Sequence, residues 1–215
     1  MWLSAFLLAL GALGALTIHE LGHLLVARAF GINAVAVTIG AGPTVVKFTD
    51  RSGTCWRVRL LPFGSGCGFP DPPVSGQARA PDQRDGPRSI RSISLGRQAV
   101  MLLAGPLSNA ALAGALFLAT YIQDRSFSIT QIGATEAGLP FLVGAFSIAV
   151  ALFNLLPVFP LDGGRLTLLA LEAITRREIS RESESRLFTS GIVLLWIMSA
   201  LAALLFIAVP ILKYG

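Results

Sequence analysis

Four apolar stretches limit the folds open to this chain: residues 1–27, 98–123, 137–161 and 187–212. Each is long enough to cross a hydrocarbon core, which needs about 20 residues of helix. Only 13% of the chain is charged and 53% is hydrophobic, against about 25% charged residues in a typical soluble domain. The missing charge points to lipid. The first stretch lacks a basic leading region and runs on through polar residues instead of ending at a small-residue cleavage site, so it reads as a retained span.

A net charge of +5 raises the question of nucleic acid, and the placement of the basic residues answers it. Ten Lys/Arg lie between Arg28 and Arg97 and five between Arg165 and Arg186, with only Arg125 and Lys213 elsewhere. Loops that alternate in basic content fit the positive-inside rule, not a nucleic-acid groove. That rule puts 28–97 and 165–186 in the cytoplasm and both termini outside. Cys55 and Cys67 fall on the cytoplasmic side without a CxxC spacing, as ordinary reduced thiols.

The fold expected is an all-α polytopic membrane protein of about four transmembrane helices, with a small membrane-associated β-hairpin or sheet after the first. It forms a single membrane-embedded domain, 1–215. Helix one covers 2–30, closed by Gly31, and a β element covers 34–63. There β-branched residues and glycines precede a DRSG turn and an alternating TCWRVRLL segment. Proline-rich, mixed-charge sequence makes 70–98 a mobile cytoplasmic loop. Helix two covers 99–122, kinked at Pro106. Helix three covers 139–174 and breaks near 157–162, where Pro157 and Pro160 interrupt it, and helix four covers 187–212.

Chemistry concentrates in the first span. His19-Glu20-Leu21-Gly22-His23 is an H-E-x-x-H sequence on a helix, and the i, i+4 spacing puts both imidazoles on one face, as two ligands of one zinc ion require. Glu20, their neighbour, is placed to take the proton of an attacking water and pass it to the leaving amine. The chain has only these two histidines, and Glu20 is the only carboxylate of its span. An uncompensated acid near the bilayer centre costs roughly 2.5–3.5 kcal/mol on insertion scales.

A zinc hydrolase usually takes three protein ligands. Asp162, in the sequence NLLPVFPLDGGR at 154–165, ends a long uncharged run and is the best remaining donor; alone it would also serve as a helix N-cap. Depth supports it. His19 lies about 27 Å along helix one at about 1.5 Å per residue, and Asp162 sits about as far along a helix running in the same direction. Asn154 and Asn109, in apolar surroundings, would hydrogen-bond substrate backbone or the oxyanion, or tie helices together. Gly11, Ala15, Gly22, Ala104, Ser108 and Ala111 read as close-packing positions.

HELGH in the first helix, AGPLSN at 104–109 in the second and NLLPVFPLDGGR in the third resemble the site-2 protease family of intramembrane zinc metalloproteases. The motifs occur in that family's order and span most of the chain. The resemblance implies three core transmembrane helices, one Zn2+ held by His19, His23 and Asp162, catalytic Glu20, and cleavage of a membrane-embedded helix near the cytoplasmic face. It also implies residence in a bacterial cytoplasmic membrane. The substrate implied is a single-pass protein such as an anti-sigma factor, and control is left to a regulatory membrane partner or to mobile elements such as 70–91. Strand addition by an unwound substrate to the β element would satisfy its freed backbone groups.

Two departures from the family stand out. The sequence reads as a compact form without a PDZ or nucleotide-binding regulatory domain, and GSGCGF at 64–69 matches the family's glycine-rich pattern only loosely. The rival readings are a non-catalytic metal-binding membrane protein and a pseudoprotease that binds transmembrane helices. Intact His19, Glu20, His23 and Asp162 argue against a degenerate enzyme, and the absence of an internal repeat argues against a transporter.

Overall fold

A computed structural model describes residues 2–70, 89–124 and 138–214. The chain is mostly helical: α1 (Trp2–Ala29), β1 (Ala36–Thr49), β2 (Cys55–Gly68), a 3-10 turn (Ile90–Ser92), α2 (Leu95–Asp124), α3 (Leu139–Asn154), α4 (Asp162–Thr175) and α5 (Arg181–Tyr214). Most of the loop expected at 70–98, and of the connection before α3, lies outside the described residues. The chain divides into two compact units, Met1–Asn154 and Leu155–Gly215.

In the first unit α1, α2 and α3 pack on one another and the sheet packs on α1. Two helices are long and apolar enough to cross a membrane, Phe6–Ala29 and Leu95–Ile122, and α3 is apolar but shorter. Their outward surface stays apolar: Phe6, Leu10, Leu118 and Ile122 are all more than half exposed. α1 ends where Gly31 takes φ 75° and Ile32 N–H reaches back to Ala27 O at 2.9 Å. This six-to-one bond satisfies a terminal carbonyl, and glycine adopts that backbone without a Cβ penalty. Small residues let α1 and α2 approach: a Cβ on Gly22 would lie 2.5 Å from Ala104 O. Ala15 is buried in the same unit, whereas Ala111 faces outward.

β1 and β2 form one two-stranded sheet in which both strands bend, so their halves pair more than once. Residues 44–49 pair antiparallel with 55–59 across the turn, while 36–39 run parallel to 55–58 and antiparallel to 65–68. The segment 55–58 is thereby paired on both sides, and 44–49 and 65–68 are the edges. The bend in β1 requires glycine at Gly40, which has φ 85° and whose absent Cβ would lie 2.5 Å from Leu61 O. The β element expected from sequence stops at 63, yet 65–68 is a strand, because pairing to 36–39 overrides weak local propensity.

One face of the sheet supplies core. Val37 and Ile39 pack with Leu24 and Ala34, and with Leu13, Leu21, Trp56, Cys67 and Phe69 around them. Asp50 closes the hairpin turn by accepting from Ser52 N at 2.9 Å and Thr54 N at 3.0 Å. It also accepts from the Trp56 indole at 3.1 Å and from the Arg28 guanidinium, so the end of α1 is tied to the sheet. The Trp56 hydrogen bond, then Arg28 and the two amides, outweigh partial desolvation and hold this carboxyl down at about 2. Trp56 also stacks on its cross-strand partner Phe48, 6.0 Å between centroids.

The second unit begins with the irregular segment 155–161, which contains Pro157 and Pro160, and continues into α4 and α5. Gly163 and Gly164 open α4 because the chain doubles back on itself there. A Cβ on Gly163 would lie 2.3 Å from Leu155 O, and one on Gly164 would lie 2.8 Å from Val158 O. Close approach of the backbone is what these glycines provide. In α5 the exposed pair Arg186 and Glu182 closes at 2.6 Å with the favourable i, i+4 order.

Candidate metal centre

His19, Glu20 and His23 are all buried in the C-terminal half of α1, at 4%, 5% and 6% exposure. The helix brings the two imidazoles to one face, their Nε2 atoms 3.2 Å apart. With Zn–N bonds of about 2.05 Å, nitrogens at that spacing subtend about 100° at an ion, close to the tetrahedral value of about 109°. His23 Nδ1–H donates to Met101 O at 2.7 Å, which leaves its Nε2 lone pair directed at His19. A zinc-ligating histidine is normally oriented in this way through its other nitrogen. The donor set therefore fits zinc.

α2 supplies the wall of the centre. Met101, Gly105 and Asn109 recur at i, i+4 and i+8, so they share one face of the helix. Met101 holds His23, and Asn109 Nδ2 lies 3.4 Å from His19 Nδ1. Between them a Cβ on Gly105 would lie 2.3 Å from His23 Nε2 and 2.7 Å from His19 Nε2. The glycine of AGPLSN thus keeps open the space the two Nε2 atoms face. The helix continues through Pro106.

The sheet reaches the same place from the other side. Ser65 Oγ donates to Glu20 Oε1 at 2.7 Å, so the edge 65–68 touches the carboxylate between the histidines. Two residues on, the half-buried Cys67 thiol is pushed up to about 12, first by burial and then by the charge of Glu20. Both cysteines are free.

Of the other residues singled out from sequence, Asn109 is fully buried against His19, while Asn154 Nδ2 donates to Val150 O of its own helix at 3.0 Å. Asp162 is the first residue of α4, in the second unit, with Leu161 as the N-cap. Sequence reasoning missed Met101, Gly105 and Ser65. The four-residue spacing from Met101 to Asn109 was the available signal for the first two.

Two helical histidines with facing Nε2 atoms and a buried glutamate between them define a metallopeptidase-type centre. The chain belongs to peptidase family M50, whose profile matches residues 5–134 and 122–198. A Brucella suis protein whose name describes a zinc metalloprotease is 33% identical over 130 residues, covering 57% of this chain and 34% of that protein. The protease RseP of Yersinia pestis is 36% identical over 107 residues, covering 50% of this chain and 22% of that protein. The regulator of sigma-E protease RseP of Salmonella typhimurium is 35% identical over 107 residues, with the same coverage of 50% and 22%. The matched stretches thus span about a third or less of these relatives' own lengths.

Proposed function

We propose that this chain is a zinc-dependent intramembrane endopeptidase that hydrolyses peptide bonds in transmembrane segments near the cytoplasmic face. The observation that carries the reading is the buried pair of Nε2 atoms 3.2 Å apart, with Glu20 buried on the same turn of α1. His19 and His23 hold one zinc ion, and Asp162 is the third ligand. Support for Asp162 comes from its place at the end of an uncharged run and at the start of α4, after a break in the helical chain. When bound, zinc polarises the scissile carbonyl and acidifies water.

The protein's own groups do the rest. Glu20 accepts the proton of the attacking water and returns it to the leaving amine, and Ser65 aims its carboxylate. A transmembrane helix must unwind before its amide bonds are reachable, and its freed backbone groups then need partners. The edge 65–68 offers them by strand addition next to Glu20, whereas 55–58 is already paired on both sides.

Four membrane spans, both termini outside and a cytoplasmic-side centre complete the reading, in a bacterial cytoplasmic membrane. The apolar outward faces of α1 and α2, and one continuous α5 over the fourth apolar stretch, support it. The substrate is a single-pass protein. An anti-sigma factor is the class that the family resemblance implies, and the Salmonella relative is named a regulator of sigma-E protease. Comparing the membrane proteome of cells carrying wild-type and Glu20→Gln protein tests this: full-length single-pass proteins should accumulate on the variant. Identical proteomes would count against the reading.

A further inference from the structure

Asn109 is wholly buried, and its Oδ1 is the one member of the histidine network with no hydrogen-bond partner among the described residues. Buried oxygens of this kind are rare in folded proteins. Its other end, Nδ2, faces His19 Nδ1 at 3.4 Å. An amide N–H donates, so His19 Nδ1 accepts, and a neutral ring then carries its proton on Nε2. That Nε2–H faces His23 Nε2 at 3.2 Å. His23 Nε2 can accept, because His23 Nδ1–H donates to Met101 O. Proton donation thus runs one way, from Asn109 through both rings to Met101.

This arrangement puts a proton on the His19 nitrogen that faces the centre. A ring nitrogen must be free of its proton to hold a metal. Neutral His19 meets that condition by moving the proton to Nδ1, and the new Nδ1–H then needs an acceptor in a fully buried place. Asn109 Oδ1 is on the same amide and becomes that acceptor when the group turns end over end. We infer that Asn109 sets the tautomer of His19. It donates through Nδ2 in the arrangement observed, and turns as zinc loads to accept from His19 Nδ1–H through Oδ1. Met101 O, which can only accept, fixes His23 in the metal-binding tautomer throughout.

The inference rests on the zinc reading above and deepens it. Asn109 is a positioning residue, acting through His19. Ser147, whose Oγ donates to the backbone carbonyl of Asn109 at 3.0 Å, holds α3 to α2 without touching the amide and serves as the control.

The test uses full-length protein in detergent. With only two histidines in the chain, selective 15N-histidine labelling gives four ring-nitrogen signals, read with and without zinc, alongside zinc affinity by chelator competition. On zinc loading, the proton of His19 should move from Nε2 to Nδ1. Asn109→Leu should weaken zinc binding about 10- to 100-fold, and Asn109→Asp, which keeps an acceptor, should stay within about threefold of wild type. Ser147→Ala should bind zinc as wild type does. Asn109→Leu with unchanged affinity, or Asn109→Asp weakened as much as Asn109→Leu, overturns the inference, as does zinc bound through His19 Nδ1. Should Asn109→Leu fail to fold, the aspartate variant and the wild-type spectra decide. Wild type that binds no zinc would overturn the zinc reading and this inference with it.

Discussion

Ser65 Oγ donates a 2.7 Å hydrogen bond to Glu20 Oε1, joining an edge of the sheet to the carboxylate between the two histidines. A hydroxyl bonded to a charged carboxylate contributes about 1.5–3 kcal/mol. If that bond aims Glu20 in the reaction, Ser65→Ala lowers kcat about 10- to 100-fold and leaves KM and zinc content unchanged. Ser65→Thr, which keeps the hydroxyl, recovers most of the loss. Steady-state cleavage of a transmembrane peptide measures both. A rise in KM alone would instead assign Ser65 to substrate binding.

Gly105 faces both Nε2 atoms with no side chain between. Gly105→Ala inserts a methyl group against both Nε2 atoms, where the proposed zinc site lies, so zinc affinity should fall at least about tenfold while the helices still fold, an overpacking cost of about 1–3 kcal/mol. Metal analysis of the purified variant, with circular dichroism as the fold check, gives the answer. Gly114, where a Cβ would meet nothing within 4 Å, should accept alanine without effect.

Asp50 gives the hairpin anchor a pH dependence. Its folded value, about 2, lies below the roughly 3.9 of an unfolded aspartate. As the pH falls the unfolded chain takes up the proton first, so the stabilisation is fully present above about pH 4 and lost as the pH drops towards 2. The melting temperature of wild type should exceed that of Asp50→Asn at pH 5–7, and the gap should close below about pH 4. A gap that persists at pH 2 would mean Asp50 acts through packing alone.

Cys67 should stay protonated at neutral pH, since burial and Glu20 push its thiol up to about 12. The thiolate is the reactive form. Alkylation at pH 8 should therefore leave Cys67 unmodified until the protein is denatured, as peptide mass mapping would show. Rapid labelling of Cys67 in the folded protein would place the sheet away from Glu20.

Residues that signal through local spacing were legible before the structure, and residues that signal through tertiary contact were not. The i, i+4 interval of His19 and His23 fixes their shared face wherever the helix packs, and the alternation around Trp56 marks a strand. By contrast, Met101 acts through a backbone carbonyl, which any residue type supplies, and Ser65 lies in a glycine-rich run whose strand character comes from partners some thirty positions earlier. Asn109 was visible as a buried polar residue, but sequence left its partner open between substrate and a neighbouring helix. Its position against a ring nitrogen of His19 supplied a third role. The need for Gly163 and Gly164 was not legible, because composition does not record the carbonyls of Leu155 and Val158 pressed against them.

The most direct measurement is cleavage of a single-pass membrane protein by the purified, zinc-loaded chain in liposomes, wild type beside Glu20→Gln. The account predicts one zinc per chain in both, a cut within the transmembrane segment by wild type, and a rate about 10²–10⁴ lower for the variant. Equal rates, with zinc present in both, would contradict it.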